Sequence, residues 1–200
     1  VLTTSEVLVR VNPIYHGSTE EIERVAQSNA DIVMLPYFSS VEEVKTFLSL
    51  LNGRKKACLL FETPASVAKA DEILALGGID EAFIGLNDLH LGYGRKFMFE
   101  LLSDGTVENL CRKFKSRGIP YGFGGVARPE QGLLKGKYII GEHCRLGSNA
   151  VILSRSFCNL KKVSSIDEVE DIMLNGVKEI RECEKHFENS TEQALYENKA

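Results

Sequence analysis

Two short apolar runs, each followed by a carboxylate, constrain the fold of this chain most strongly. Residues 57–61 are followed directly by Glu62, and residues 82–86 are followed by Asn87 and Asp88. An apolar run without alternation is typical of a strand buried on both faces, as in a parallel sheet. A segment of helix length separates the two runs, and such a crossover returns the chain to the same edge of the sheet. We therefore expect both carboxylates at one edge of a parallel sheet.

The same pattern recurs along the rest of the chain and predicts six strand and helix units in alternation. The predicted strands are residues 7–11, 31–35, 57–61, 82–86, 121–126 and 150–153. The predicted helices are residues 18–28, 41–51, 65–75, 106–117, 129–146 and 165–189. This alternation indicates a parallel α/β architecture, for which an open doubly wound sheet and a closed barrel are the two candidates. Because Val11-Asn12-Pro13 offers no glycine-rich turn for a nucleotide, the pattern favours the TIM (β/α)8 barrel.

Composition excludes several classes of protein. With 200 residues, of which 44% are hydrophobic and 26% charged, the chain fits one domain over residues 1–200 with a sizeable core. Its apolar runs fall well short of the roughly 20 residues that cross a bilayer, and residues 1–6 do not resemble a secretion signal, so we expect no membrane partner. A net charge of −4 with mixed signs also argues against nucleic acid. Five scattered cysteines without a CxxC pair disfavour a disulfide framework and a zinc site, and they favour the reduced cytoplasm.

Three further side chains are candidates for a site on the basis of position. Arg10 is a charge inside an otherwise apolar strand, where a buried ion pair is the alternative to a substrate contact. His16 follows that strand and His90 follows Asp88, so either histidine is a candidate for proton transfer near neutral pH. An exposed histidine without a function is the alternative for both. His143 and His186 lie in predicted helices and are interpreted as structural or exposed.

Four segments, taken together and in order, resemble a known family. They are LVRVNP, DIVMLPYFSSVEEV, LLFETPASV and IDEAFIGLNDLHLGYG, over residues 8–13, 31–44, 59–67 and 79–94. This series is similar to the HpcH/HpaI aldolase and citrate lyase β-subunit family, which belongs to the phosphoenolpyruvate/pyruvate superfamily of TIM barrels. The similarity extends to about residue 157 and is strongest over residues 59–94.

The resemblance implies a metal site and a substrate class. Glu62 and Asp88 would hold a divalent cation, Mg²⁺ or Mn²⁺, and Arg10 would be the catalytic residue that binds the keto or carboxylate oxygen of the substrate. Gly85, Leu86 and Asn87 join Arg10 as expected substrate contacts. Cleavage of a carbon–carbon bond beside a carbonyl leaves an enolate, whose charge a hard cation stabilises as a Lewis acid. The implied activity is therefore that of a metal-dependent lyase or aldolase on a pyruvate- or oxaloacetate-like 2-keto acid.

Two other functions stay open at this point. One is a citrate-lyase-like enzyme that acts on acyl-CoA thioesters, and the other is a non-catalytic member that binds a small acid. At the level of the residues, Glu62 and Asp88 could also be a helix cap or a partner in a salt bridge.

The resemblance also implies elements that this sequence does not match. The family barrel has eight strand and helix units, and the sequence matches from the third, so we expect the first two strands to belong to a longer parent chain. Completion of the barrel by a second copy is the alternative. Since the unmatched strands carry an acid and, in aldolases, a proton-transfer histidine, no general base is assigned. The helix over residues 165–190, in an amphipathic tail that runs to residue 199, is expected to pack against a neighbouring subunit of a homo-oligomer, and packing on its own barrel is the alternative.

Overall fold

The computed structural model describes residues 4–159, 163–188 and 190 of the chain and contains the six predicted strands. They are β1 (Leu8–Arg10), β2 (Ile32–Leu35), β3 (Lys56–Phe61), β4 (Glu81–Ile84), β5 (Tyr121–Val126) and β6 (Ala150–Leu153). The helices within the described residues are α1 (Ser18–Ala26), α2 (Val41–Leu51), α3 (Pro64–Ala68), α4 (Ala70–Leu74), α5 (Leu86–Gly92), α6 (Glu100–Ser103), α7 (Thr106–Ser116), α8 (Gly136–Leu146) and α9 (Ile166–Glu188). Most predicted boundaries lie within two residues of these.

All strands are parallel and lie in the sheet in their order along the chain, from β1 to β6. A doubly wound sheet would reverse this order at a switch point. The sheet winds in one direction instead and forms a curled half-barrel. Within the described residues β1 and β6 are its two edges, so the six expected strands form part of a barrel, and the complete (β/α)8 barrel stays a prediction.

The two faces of the sheet pack differently because successive strand residues point to opposite sides. One face is covered by helices, and its buried strand residues share a large core with the apolar residues of α2, α4 and α7. These strand residues are Val33, Leu35, Ala57, Leu59, Phe61, Ala82, Ile84, Tyr121 and Phe123. The other face carries a smaller buried cluster made of strand residues alone: Ile32, Met34, Cys58, Leu60 and Phe83. At the edges of this face Leu8 is 42% and Ile152 is 51% exposed, because no further strand covers them here.

Three predicted elements need correction. The segment 65–75 forms two short helices, α3 and α4, which meet at Lys69. The apolar run 82–86 is a strand only to Ile84, since Gly85 leaves the extended conformation and α5 begins at Leu86. The helix predicted over residues 129–146 begins only at Gly136, because Gly132 adopts a φ of +102° that a helix does not allow. In addition, α5 and α6 between β4 and β5 were not predicted.

The long helix α9 packs against its own chain. Ile180 of α9 joins Val126, Ile139, Ile140 and Phe157 in a separate buried cluster. Arg128, which follows β5, donates two hydrogen bonds to the Glu179 carboxylate of α9. The helix therefore packs on its own half-barrel, as the alternative prediction has it. Assembly into a homo-oligomer stays a prediction. The predicted end of the helix at residue 189 and the tail over 191–199 lie outside the described residues.

Two observations concern the cellular setting. Every helix within the described residues is too short or too polar to cross a bilayer. Cys58 and Cys111 are buried free thiols. The cytoplasmic location stays a prediction.

Candidate functional site

Glu62 is a buried carboxylate directly after β3. Its side chain is only 5% exposed, and the Tyr37 backbone N–H donates to its Oε1 at 3.0 Å. The next residue, Thr63, begins α3 with a side-chain cap and donates its hydroxyl to the Phe38 carbonyl at 2.7 Å. The cap belongs to Thr63, so the alternative in which Glu62 serves as a helix cap does not describe this position. Glu62 is therefore held at the carboxyl end of its strand by the loop after β2.

Asp88 reaches the same place from the neighbouring strand. It lies in the first turn of α5, just after β4, and is exposed. The Asp88 carboxyl is close enough to act on Glu62 both as a negative charge and as a hydrogen-bond partner. The structure thus brings together the two carboxylates that the sequence predicted to share one edge of the sheet.

Burial and the nearby Asp88 carboxyl together raise the pKa of Glu62 to about 7. Burial is the largest cause because it disfavours the charged carboxylate, and the negative charge of Asp88 is the second. The Tyr37 N–H and the positive charge of Arg10 act in the opposite direction and lower the pKa. The two carboxylates repel each other when both are ionised, and a bound cation would offset this repulsion.

Gly85 packs directly against Glu62. A Cβ at Gly85 would lie 2.8 Å from both Cβ and Oε2 of Glu62 and 3.3 Å from Leu60 Cδ1. Carbon atoms do not approach so closely, so any side chain at this position would displace the carboxylate. Gly85, which was predicted to contact substrate, therefore has a visible role in seating Glu62.

Arg10 ends β1 and is exposed, which differs from the buried ion pair considered as its alternative. It lies opposite Met34 in the neighbouring strand, on the face of the sheet that is not covered by helices. The positive charge of Arg10 acts on the Glu62 carboxyl. Arg10 is therefore near the carboxylate pair, with its guanidinium accessible to a ligand.

Of the other predicted site residues, Asn87 and His16 are exposed, whereas Leu86 and His90 are buried. Asn87 is exposed beside Asp88, whereas the Leu86 side chain is fully buried in the helix-covered core and leaves only its backbone for a ligand. His90 is 9% exposed, and its Nδ1 lies 3.2 Å from the Leu86 carbonyl oxygen, so this histidine is buried against its own helix. His16 is exposed in the loop after β1 and contacts the Tyr15 ring edge-on. Proton transfer by either histidine stays a prediction.

The donor set fits a hard divalent cation. Mg²⁺ prefers oxygen ligands and usually keeps several waters, so one or two protein carboxylates suffice together with substrate oxygens. Glu62 and Asp88 provide carboxylate oxygens of this kind, and one of them is fixed by the Tyr37 N–H. Within the described residues no group of three or more Asp, Glu, His or Cys side chains is arranged to hold a metal ion, so the pair would bind a cation together with solvent or substrate.

Tyr37 is a residue of the site that no sequence pattern indicated. Its φ of 51° lies in the left-handed region, which bulky residues rarely adopt. This conformation accompanies the hydrogen bond from its backbone N–H to Glu62. Backbone strain of this kind clusters at functional sites, where the surrounding structure maintains it.

A family model and a solved structure that are similar to this chain both carry the description HpcH/HpaI aldolase. A family model described as HpcH/HpaI aldolase/citrate lyase matches residues 1–101, which is half of the chain and contains Arg10, Glu62 and Asp88. Among solved structures, an HpcH/HpaI aldolase from Desulfitobacterium hafniense DCB-2 is similar with a TM-score of 0.60 and 18% sequence identity. The match covers 88% of this chain and 73% of that chain, and at this identity it supports the fold alone. No curated protein matches the chain.

Proposed function

Because the chain belongs to the HpcH/HpaI aldolase/citrate lyase family, we propose that it is a metal-dependent carbon–carbon lyase acting on a pyruvate- or oxaloacetate-like 2-keto acid. The observation that carries the proposal is the convergence of Glu62 and Asp88 at the carboxyl ends of β3 and β4. Parallel α/β enzymes hold their reacting groups at this end of the sheet.

Glu62 and Asp88 are the residues that would hold the cation, Mg²⁺ or Mn²⁺. Such a cation supplies Lewis-acid stabilisation of the negative charge that develops on a keto oxygen. The protein holds Glu62 ready through the Tyr37 N–H on one side and the absent side chain of Gly85 on the other. Asp88 completes the pair from α5 and remains accessible from solvent.

Arg10 would orient the substrate. Its guanidinium presents a planar fork of donors that matches a carboxylate or a keto acid. Since Arg10 is exposed and its charge already acts on the carboxylate pair, an acid bound there would lie between the guanidinium and the cation ligands. This position fits the sign of a 2-keto acid, which carries a negative charge.

The test is a titration with Mn²⁺, followed by relaxation of water protons or electron paramagnetic resonance. Glu62→Gln and Asp88→Asn should each lower Mn²⁺ affinity by at least about tenfold, because each removes a charged ligand. Arg10→Met should reduce turnover of oxaloacetate or pyruvate adducts far more than Mn²⁺ affinity.

Glu72→Gln is the matched control, since Glu72 is an exposed acid on α4 away from the pair. Wild-type Mn²⁺ affinity in both Glu62→Gln and Asp88→Asn would remove the metal assignment. Turnover of a coenzyme A thioester in place of the keto acid would redirect the proposal to a citrate-lyase-like reaction.

A further inference from the structure

Tyr37 lies beside the proposed cation ligands, on the loop between β2 and α2. Its backbone N–H donates to Oε1 of Glu62 at 3.0 Å. In the sheet, β2 lies between β1, which carries Arg10, and β3, which precedes Glu62. Tyr37 therefore lies between the residue that would orient the substrate and a ligand of the cation.

The Tyr37 side chain is exposed although its two neighbours in the chain are buried. Pro36 and Phe38 are buried, and the Phe38 ring packs edge-on against Phe61 at a centroid distance of 5.1 Å. The Phe38 carbonyl oxygen also accepts the hydroxyl of Thr63 at 2.7 Å. Tyr37 itself is 57% exposed, the highest value among the tyrosines that the structure describes. An anchored loop thus presents one aromatic ring to solvent at the carboxyl end of the sheet.

The fold does not explain why this position is a tyrosine. The φ of 51° at Tyr37 favours glycine or asparagine, which adopt the left-handed region with less strain. Either residue would provide the same backbone N–H to Glu62. A ring that is mostly exposed adds little to the stability of the fold, because hydrophobic stabilisation comes from burial. A strained backbone that carries an exposed ring indicates a contact with a bound molecule.

The register of the sheet places Tyr37 farther toward the carboxyl end than Arg10. Arg10 is paired with Met34, and Tyr37 follows Met34 by three residues. Three residues of extended chain span roughly 10 Å. A 2-keto acid that contacts Arg10 and the cation ligands through its carboxylate and keto oxygens would therefore extend the rest of its carbon chain toward Tyr37.

The loops at this end of β1 and β2 lack acidic and strongly basic side chains. Residues 11–17 and 36–40 contain no aspartate, glutamate, lysine or arginine. Tyr15 and His16 in the first loop are exposed, and their rings contact edge-on at 5.2 Å. A charged group at the far end of a substrate would lose water here without meeting an opposite charge on these loops. An uncharged carbon chain would instead gain contact with aromatic surface.

We propose that the Tyr37 ring determines specificity by packing against the carbon chain of an uncharged aldehyde component. The inference rests on the proposed lyase function and narrows its substrate to a 4-hydroxy-2-keto acid with an uncharged chain. In the cleavage direction the bond between C3 and C4 breaks, and its electron pair forms the enolate. The 4-hydroxyl gives up its proton and becomes the aldehyde oxygen, and C3 then takes up a proton to give pyruvate. Tyr37 contacts the carbons beyond C4.

Calorimetric titration of the Mn²⁺-loaded protein tests this contact without turnover. The probes are 2-oxoheptanoate and 2-oxoheptanedioate, which share a seven-carbon chain and end in a methyl group and a carboxylate. Both lack the 4-hydroxyl that cleavage requires. The wild type should bind 2-oxoheptanoate at least about tenfold more tightly than the dioate, because only the uncharged end packs on the ring. Pyruvate, which is too short to reach Tyr37, is the reference ligand.

Tyr37→Asn removes the ring, keeps the backbone N–H and suits the left-handed conformation. It should bind 2-oxoheptanoate about tenfold more weakly and keep the wild-type affinity for pyruvate and Mn²⁺. Tyr37→Phe keeps the ring and should bind all these ligands as the wild type does. Tyr138→Ala is the matched control, since Tyr138 is a 40% exposed tyrosine on α8, and it should also behave as the wild type.

The titrations separate failure of this inference from failure of the proposed function. A wild type that does not bind pyruvate in the presence of Mn²⁺ would overturn both. If pyruvate binds, equal affinity for 2-oxoheptanoate and the dioate, or unchanged 2-oxoheptanoate affinity in Tyr37→Asn, would overturn the specificity role alone. A parallel loss of pyruvate or Mn²⁺ affinity in Tyr37→Asn would also overturn it, because the ring would then support the structure of the site.

Discussion

Glu62 depends on the backbone of two neighbouring loops for its position. The loop after β2 supplies the Tyr37 N–H, and the residue after β4, Gly85, supplies space where a side chain would collide. The left-handed φ of Tyr37 costs of order 1 kcal/mol, which the surrounding packing compensates. A buried carboxylate held by strained backbone is a costly arrangement, and proteins retain such arrangements mainly where they use them.

Gly85→Ala tests this contact. The new methyl group must displace Glu62 or shift the backbone, so we expect a stability loss of about 1–3 kcal/mol and at least about tenfold weaker Mn²⁺ binding. Urea unfolding and the Mn²⁺ titration measure the two effects. Gly125→Ala is the matched control, because a Cβ there would meet its nearest atom only at 3.5 Å. Identical behaviour of the two variants would show that Gly85 does not seat Glu62.

At the level of elements, α9 illustrates the limit of an apolar pattern. Apolar residues recur along α9, yet two of them, Ile166 and Val177, are 84% and 39% exposed. The face that packs instead contains Gly176, where a Cβ would lie 2.6 Å from Cζ of the buried Phe157 ring. A glycine contributes nothing to a hydrophobic pattern, so the apolar residues of α9 by themselves do not mark the centre of its buried face.

In Gly176→Ala, a higher helix propensity and a steric conflict change the free energy of unfolding in opposite directions. In an exposed helix this change stabilises by about 1 kcal/mol, but here the methyl group must push the Phe157 ring aside. We expect a net loss of roughly 1 kcal/mol in the free energy of unfolding, measured by urea denaturation. Asn175→Ala, at the exposed neighbouring position, should instead stabilise by a few tenths of a kcal/mol. A stabilised Gly176→Ala variant would contradict the close packing of α9.

The run 82–86 shows why the end of β4 is difficult to predict from apolar residues alone. Leu86 is buried whether it ends a strand or begins a helix, so hydrophobicity alone does not separate the two readings. Because the strand ends at Ile84, Asp88 lies in the first turn of α5, which is still at the carboxyl end of the sheet.

For the molecule as a whole, acid stability should depend on His143. Burial lowers its pKa to about 3 in the folded protein, whereas the pKa is near 6.5 in the unfolded chain, so unfolding takes up a proton between these values. The stabilising contribution of the neutral ring is present above pH 6.5 and is lost as the pH falls toward 3. From pH 7 to pH 5 the loss is about 2 kcal/mol.

Urea unfolding at both pH values measures this loss. His143→Phe should lose about 2 kcal/mol less than the wild type over the same interval, since it has no proton to take up. His186→Gln removes an exposed histidine on α9 and should follow the wild-type slope. Parallel slopes for His143→Phe and the wild type would mean that His143 is accessible to solvent and protons in the folded protein.

The sequence alone determined the six strands, their parallel arrangement and the common edge of Glu62 and Asp88, because apolar runs and turn residues are local signals that fix where strands end. Tertiary structure alone decided the backbone conformation of Tyr37, the contact of Gly85 with Glu62, the buried face of α9 and the burial of His143. These features arise where segments distant along the chain meet, and the steric and hydrogen-bonding demands of such meetings leave no periodic trace in the amino-acid sequence.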